Sequence, residues 1–299
     1  MTALEDIITE ELRRPVLPLV ARAAQAIAAR VSGSAVLFYG SVLRTGDLDG
    51  VLDFYVLRGA AARTGLLSRL IWPDVSYHEV ELEGRIVRAK VATMRLATFE
   101  RAARGATLDT TIWARFVQPS ALIWAENETV RRSVATAVAN AAVTASWFTT
   151  LHCADVAAPG DFWRQLFRAT YSTELRVEAP GREDQILSYD RERYDRLLPL
   201  AWRSGGIAFD EHDGSLMARP TECQLRAIAA AWLRVSRAGK WLNLVRLAKA
   251  AFTFEGAARY GLWKIERHTG VRIALTPFRE RHPILAAPGV FWRVWRRTP

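Results

Sequence analysis

The chain has only two cysteines in 299 residues, Cys153 and Cys223. That excludes a disulfide framework and a cysteine-rich zinc centre, and it fits a reducing compartment. Five histidines, at 78, 152, 212, 268 and 282, are scattered. They offer no His–Asp or Ser–His constellation, so each reads as structural. No segment has the content of a membrane span. The longest uncharged stretch, 133–154, is long enough for the ~20 residues a span needs. It is mostly Ala and Thr and carries Asn140 and His152, so it reads as a buried helix. The start, MTALEDIITEELRR, mixes four acids with two arginines and resembles neither a signal nor a transit peptide. Repeats and low-complexity tracts are missing.

Acids are scarce in one place. Residues 234–299 hold 14 Lys/Arg against Glu255, Glu266 and Glu280. The first 233 residues are nearly balanced, at 27 against 28, so the last 66 carry the whole surplus of +10. Such a block suits nucleic acid, an anionic membrane surface or a phosphorylated substrate. Aromatics are interleaved with it: Trp241, Phe252, Phe254, Trp263, Phe278 and the closing FWRVWRR. Trp beside Arg suits the lipid–water boundary, and also stacking on single strands. The membrane surface is the favoured partner and nucleic acid the less favoured one.

Periodicity predicts an α+β protein. Helices are expected over 3–31, broken at Pro15 and Pro18. AVLFYG and VLDFYVL read as buried strands, and VSYHEVELEGRIVRAKVATM as a hairpin about Glu83-Gly84. Helices dominate from residue 126, with 201–220 loop-like and two helices over 222–238 and 240–267. The expected division is 1–125, a mixed sheet with helices; 126–235, helical, with a winged-helix-like arrangement as one option; and 236–299, a basic Trp-rich membrane-contact segment. The tail, with Pro277, Pro283 and Pro288, is expected to be broken.

The chemistry concentrates in FYGSVLRTGDLDGVLDFYVL. One strand delivers Gly40-Ser41 at its end, and the next carries Asp53 between Leu52 and Phe54. A carboxylate in an apolar strand is costly unless something positive neutralises it, and a metal ion does so. Gly40 permits close approach of a phosphate, and Ser41 offers donors at the following turn. Together they suggest a nucleotidyl-transfer site with Mg²⁺. Position 51 is Val, so a second acid has to come from Asp47, Asp49, Glu79 or Glu81.

These residues resemble the mitochondrial-type phosphatidate cytidylyltransferases, also described as mitochondrial translocator assembly and maintenance proteins, of the nucleotidyltransferase superfamily. YGS and then VLDF carry the first likeness. RAKV with Lys90, WARFVQPSALI with Arg115 and Pro119, and TYSTELR with Tyr171 and Arg176 come in the family's order, over about residues 35–268. Val42, Ala114 and Gln118 depart from the pattern. The resemblance implies a nucleotidyltransferase-like mixed sheet and, after it, a helical domain. It implies an enzyme that makes CDP-diacylglycerol and pyrophosphate from CTP and phosphatidic acid, as a peripheral protein on the cytoplasmic face of a membrane. Asp53 and Lys90 would be catalytic. Gly40, Ser41, Arg115, Tyr171 and Arg176 would bind substrate. Asp53, with Asp49, Asp47 or Glu79, would hold Mg²⁺. A different acceptor (another lipid phosphate, a sugar phosphate or an RNA end) and a non-catalytic membrane-bound module are the alternatives. Oligomeric state stays open.

Overall fold

A computed structural model describes residues 2–62, 64–153, 156–174 and 181–297. The chain opens with α1 (Ala3–Leu12) and α2 (Pro18–Arg30). Thr2 and Glu5 form a reciprocal capping box that starts α1. Pro18 lies in the first turn of α2, where its missing N–H costs nothing. Next come β1 (Ala35–Tyr39), α3 (Ser41–Thr45), β2 (Leu52–Arg58), α4 (Leu66–Leu70), β3 (Asp74–Leu82), β4 (Arg85–Arg95), α5 (Leu96–Ala103), α6 (Thr111–Phe116) and β5 (Ala121–Ala125). The five strands form one mixed sheet in the order β3-β4-β2-β1-β5, with β2 and β4 parallel and the other pairs antiparallel. The α+β class is therefore as expected, and the β3–β4 hairpin turns at Glu83 and Gly84, both with positive φ.

The two sheet faces have different covers. Val20, Ala23, Ala24, Ile27 and Ala28 recur at helical spacing and press α2 onto Val36, Phe38, Phe54, Val56 and Val91. The opposite face, through Leu37, Tyr55, Leu57 and Met94, meets α1, α5, α6 and the first of the helices C-terminal to β5. Those later helices are α7 (Glu128–His152), α8 (Pro159–Thr173), α9 (Arg182–Tyr189) and α10 (Arg191–Ser204). Helix α7 is the stretch predicted to be buried, and several of its hydroxyls are satisfied within the helix or by α5, while His152 Nε2 at its end is buried without a hydrogen-bond partner. Thr144 Oγ1 donates to Ala103 O at 2.8 Å, and Thr149 Oγ1 to Ser146 O at 2.7 Å. By length and composition alone α7 is apolar enough to cross a membrane, but two-thirds of its apolar window is buried here.

Three expectations need correcting. First, no boundary separates 1–125 from the helices after it. One continuous core runs from Leu4 and Leu37 through Val134 and Trp163 to Trp202 and Leu216. A buried ion pair reinforces it: Arg193 Nε and Glu11 Oε2 are 2.5 Å apart, each side chain only 7% exposed. Second, 201–220 is not a loop. It completes α10 and then forms a hairpin, β6 (Ala208–His212) and β7 (Ser215–Arg219). Third, residues 235 and 236 are not a boundary. One helix, α11 (Glu222–Thr253), runs through them, and the break comes at Phe254–Gly256. Gly239, where a break was expected, lies inside α11 because its backbone packs against Thr173; a Cβ there would stand 2.8 Å from Thr173 O.

The end of the chain forms α12 (Ala257–Thr269), α13 (Pro277–Arg281) and α14 (Pro283–Arg297). Pro277 and Pro283 open helices, while Pro288 lies within α14. Helix α12 is tied to the sheet edge. Tyr77 N donates to Glu255 O at 2.8 Å, and Gly256 has φ +78°, where a Cβ would fall 2.5 Å from Tyr77 O.

Candidate active site

Strand register creates the site. Tyr39 pairs with Asp53, Asp53 with Lys90, and Lys90 with Tyr77, so one row crosses β1, β2, β4 and β3. Side chains of paired residues share a sheet face. Gly40 ends β1 with φ +92°, and a Cβ built there would lie 2.7 Å from Asp53 Oδ2. Only glycine leaves room for this carboxylate to stand against the backbone corner. Ser41 starts α3 and is exposed, while Val42 turns into the α2-side core. That burial explains why an apolar residue comes directly after Gly-Ser.

Burial raises the pKa of Asp53, and the nearby charges of Lys90, Arg115 and Arg44 counter it in that order. Arg115 reaches the row from α6. Its Nη1 donates to Tyr55 Oη at 3.2 Å, and its guanidinium lies 5.4 Å from the Tyr39 ring centroid and 5.7 Å from that of Tyr55. Burial alone would lower the pKa of Arg115, but Tyr55, Tyr39, Glu174 and Asp53 together raise it, so it stays cationic. Arg44 comes from α3. Burial lowers its pKa, and the like charge of Arg182 adds to this, against Tyr194, Tyr189 and Tyr171. Tyr171 thus belongs to the same neighbourhood. Arg176 lies outside the described residues.

The second acid does not arrive. Asp47 Oδ1 accepts from Asp49 N at 2.9 Å, a local turn. Asp49 is exposed and stands 3.8 Å from Arg85. Glu79 accepts from Tyr77 Oη at 3.0 Å and lies 3.8 Å from Arg88 and 4.0 Å from Arg259. Glu81 is exposed on β3. The charges that perturb Asp53 are, among the described residues, all cations. Among the described residues no group of three His, Cys, Asp or Glu is poised for a metal. Among the described residues, then, Asp53 is one acid among three cations in place of the expected pair. That set still suits Mg²⁺, which keeps waters and is often held by a single carboxylate together with substrate phosphates. At the Gly40 corner Asp53 Oδ2 occupies the space that a side chain at position 40 would fill, and it is the oxygen that would hold such an ion. The surrounding positive charge disfavours a metal that comes without phosphates.

Sequence reasoning misses Arg44, Tyr260 and the wall that α12 provides. Burial raises the Tyr260 pKa, and Asp53 adds to it. The Tyr260 ring lies 5.3 Å from Tyr77 and 6.2 Å from Trp263. The only signal in the sequence is a row of aromatics in a basic helix, which composition assigns to a lipid surface. A scan against protein-family models finds no match to this chain, and neither does a search of curated proteins.

Proposed function

We propose that the Gly40–Asp53 corner binds the triphosphate of CTP, and that the protein transfers the cytidylyl group to phosphatidic acid at a membrane surface. The mixed sheet, with a Gly-Ser corner between antiparallel β1 and β2, is of the kind that the resemblance to phosphatidate cytidylyltransferases implies. The observation that carries the reading is the row Tyr39–Asp53–Lys90 closed by Gly40, which sets one carboxylate and three cations about a backbone corner.

In this reaction an oxygen of the lipid phosphate attacks the α-phosphorus. A new P–O bond forms as the bond to the β-phosphate bridge breaks, and pyrophosphate leaves with the electron pair. A phosphate monoester has a second pKa of about 6, so the nucleophile is ionised near neutrality and no general base is required. What is required is neutralisation and alignment of two polyanions. Unit like charges ~4 Å apart cost about 4 kcal/mol at an effective dielectric of ~20. Lys90, Arg115 and Arg44 offset that repulsion, and the Arg115 fork, braced on Tyr55, suits a phosphate edge. Mg²⁺, when bound at Asp53, would supply further neutralisation of the phosphates.

The surface supports access to lipid. On the outer side of α11, Arg234, Arg237, Trp241, Leu244, Val245 and Phe252 recur at helical spacing, with Trp241 71% and Phe252 83% exposed. Leu66, Leu67 and Leu70 of α4 are exposed nearby, since Ser68 and Lys249 both reach Asp74. The test is turnover of labelled CTP with phosphatidic acid vesicles, with Asp53→Asn as control. Product that forms with wild type and not with the variant supports the reading. The second reading, a binding module without turnover, is favoured by the single acid; CTP binding without product would select it.

A further inference from the structure

Between the 46–51 loop, the tip of the β3–β4 hairpin and α12 there is a cavity of about 730 Å³, of a size that takes small molecules. Its walls carry Arg85, Arg88 and Arg267 against a single acid, Asp49, a balance of +2. Trp263 organises the wall. Arg88 lies 5.5 Å and Arg267 5.4 Å from its ring centroid, so both guanidinium groups are held on one indole. Arg267 Nη1 also donates to Asp49 O at 2.8 Å, which fixes the loop that forms the opposite wall. The Arg88 Nε is buried without a hydrogen-bond partner. The neighbouring carboxylate, Glu79, stands 3.8 Å away, beyond a good hydrogen bond. The same guanidinium hydrogen-bonds the Tyr77 side chain, so Arg88 is braced at the rim by Tyr77, Glu79 and Trp263.

We propose that this cavity is a second anion site and that it takes a phosphate monoester, the acceptor of the transfer. The assignment rests on the cytidylyl-transfer reading for the word acceptor; the anion site itself stands on the cavity. Arg88 precedes Lys90 by two residues on β4 and so shares its sheet face, about 7 Å along the strand. The cavity sits at the edge of the sheet, with Leu19, Leu48 and Val87 also in its lining, and Arg88, two residues from Lys90, is its link to the row that holds Asp53. The preference for a monoester comes from charge. It carries close to two negative charges at neutral pH, where a diester carries one, and the walls offer a surplus of two. Helix α12 thereby has a role different from the lipid contact read from its composition: its half-buried Trp263 and its Arg267 line a ligand site at the sheet edge.

The test uses the full chain and its charge-reversed variant Arg85→Glu/Arg267→Glu, both positions being exposed, beside the charge-preserving Arg85→Lys/Arg267→Lys. The probes are glycerol 3-phosphate, and phosphatidylcholine vesicles containing 30 mol% of either phosphatidic acid or phosphatidylserine. CTP with Mg²⁺ is titrated separately into wild type, Asp53→Asn and each arginine variant. We expect the charge-reversed protein to bind glycerol 3-phosphate or phosphatidic acid vesicles at least tenfold more weakly, and the lysine variant to lose much less. CTP binding should change less than twofold in both. Binding of glycerol 3-phosphate marks a free phosphate as sufficient; binding only of phosphatidic acid vesicles, above phosphatidylserine, marks a lipid headgroup. Both support the site. Equal binding of the two vesicle types with none of glycerol 3-phosphate overturns it, as does wild-type affinity in the charge-reversed protein. Absence of CTP binding beside intact monoester binding would defeat the transfer reading and leave this site standing.

Discussion

At Asp53 the demands of folding and of the proposed chemistry oppose one another. Burial raises its pKa in the folded chain above the unfolded value. Between those two values the native state binds more protons than the unfolded one, so stability falls as pH rises through that window. Asp53→Asn removes the penalty. Denaturant unfolding of the free protein from pH 4 to 8 should show a flatter profile for the variant and higher stability at pH 7. The same variant should lose Mg²⁺-dependent CTP binding and about 10²-fold or more in turnover, the scale on which a preformed electrostatic partner acts. A variant less stable than wild type at pH 7 would mean that the carboxylate is already satisfied. Gly40→Ala meets both a positive φ and the Asp53 oxygen. It should cost about 1–3 kcal/mol in unfolding free energy and weaken CTP binding together, whereas Ser41→Ala should leave stability unchanged. Gly40 and Asp53 are legible in the sequence because a strand, a glycine and a second strand with an embedded acid form a local pattern. Arg44 is not: it lies in a polar segment, and only the approach of α8 and α9 gives it neighbours such as Tyr171 and Arg182.

Among the elements, Glu11 and Arg193 join α1 to α10 from positions 182 residues apart. Arg193 Nη1 also donates to Val117 O at 2.9 Å, and Glu11 Oε1 accepts from Ser120 N at 3.2 Å. Truncating Glu11 to Ala strands a buried guanidinium, and unfolding should become easier by about 3–5 kcal/mol. The double variant Glu11→Leu/Arg193→Met should recover much of that loss in the same denaturation experiment. Local signals serve well where they are strong, as in the β3–β4 hairpin and α7. They fail at β6–β7, where Asp213 and Gly214 form a positive-φ turn between strands too exposed to show an apolar alternation. They fail again at Gly239, where a residue that breaks isolated helices is tolerated for the close approach of another backbone.

Over the whole molecule, the division expected from composition dissolves, because charge and packing run along different lines. The basic block is one stretch of sequence but serves two surfaces: α12 looks inward at the sheet edge, and the far side of α11 looks outward. Composition cannot separate these, since an arginine over a half-buried indole and one in water count alike. Trp241→Ser/Phe252→Ser should reduce co-sedimentation with anionic vesicles severalfold at low salt while leaving CTP binding intact, and raising ionic strength should reduce wild-type binding further. Unchanged sedimentation would move the contact elsewhere.

Because α11 is unbroken for 32 residues, it is a rod about 48 Å long. Its inner side is bolted to the body at Lys249–Asp74 and Arg246–Asp109. A rod fixed in this way sets a standoff: on the proposed membrane reading, wherever its outer flank comes to rest, the height and tilt of the glycine corner above that plane are already decided, and the proposed lipid substrate would have to be lifted by that amount to be reached.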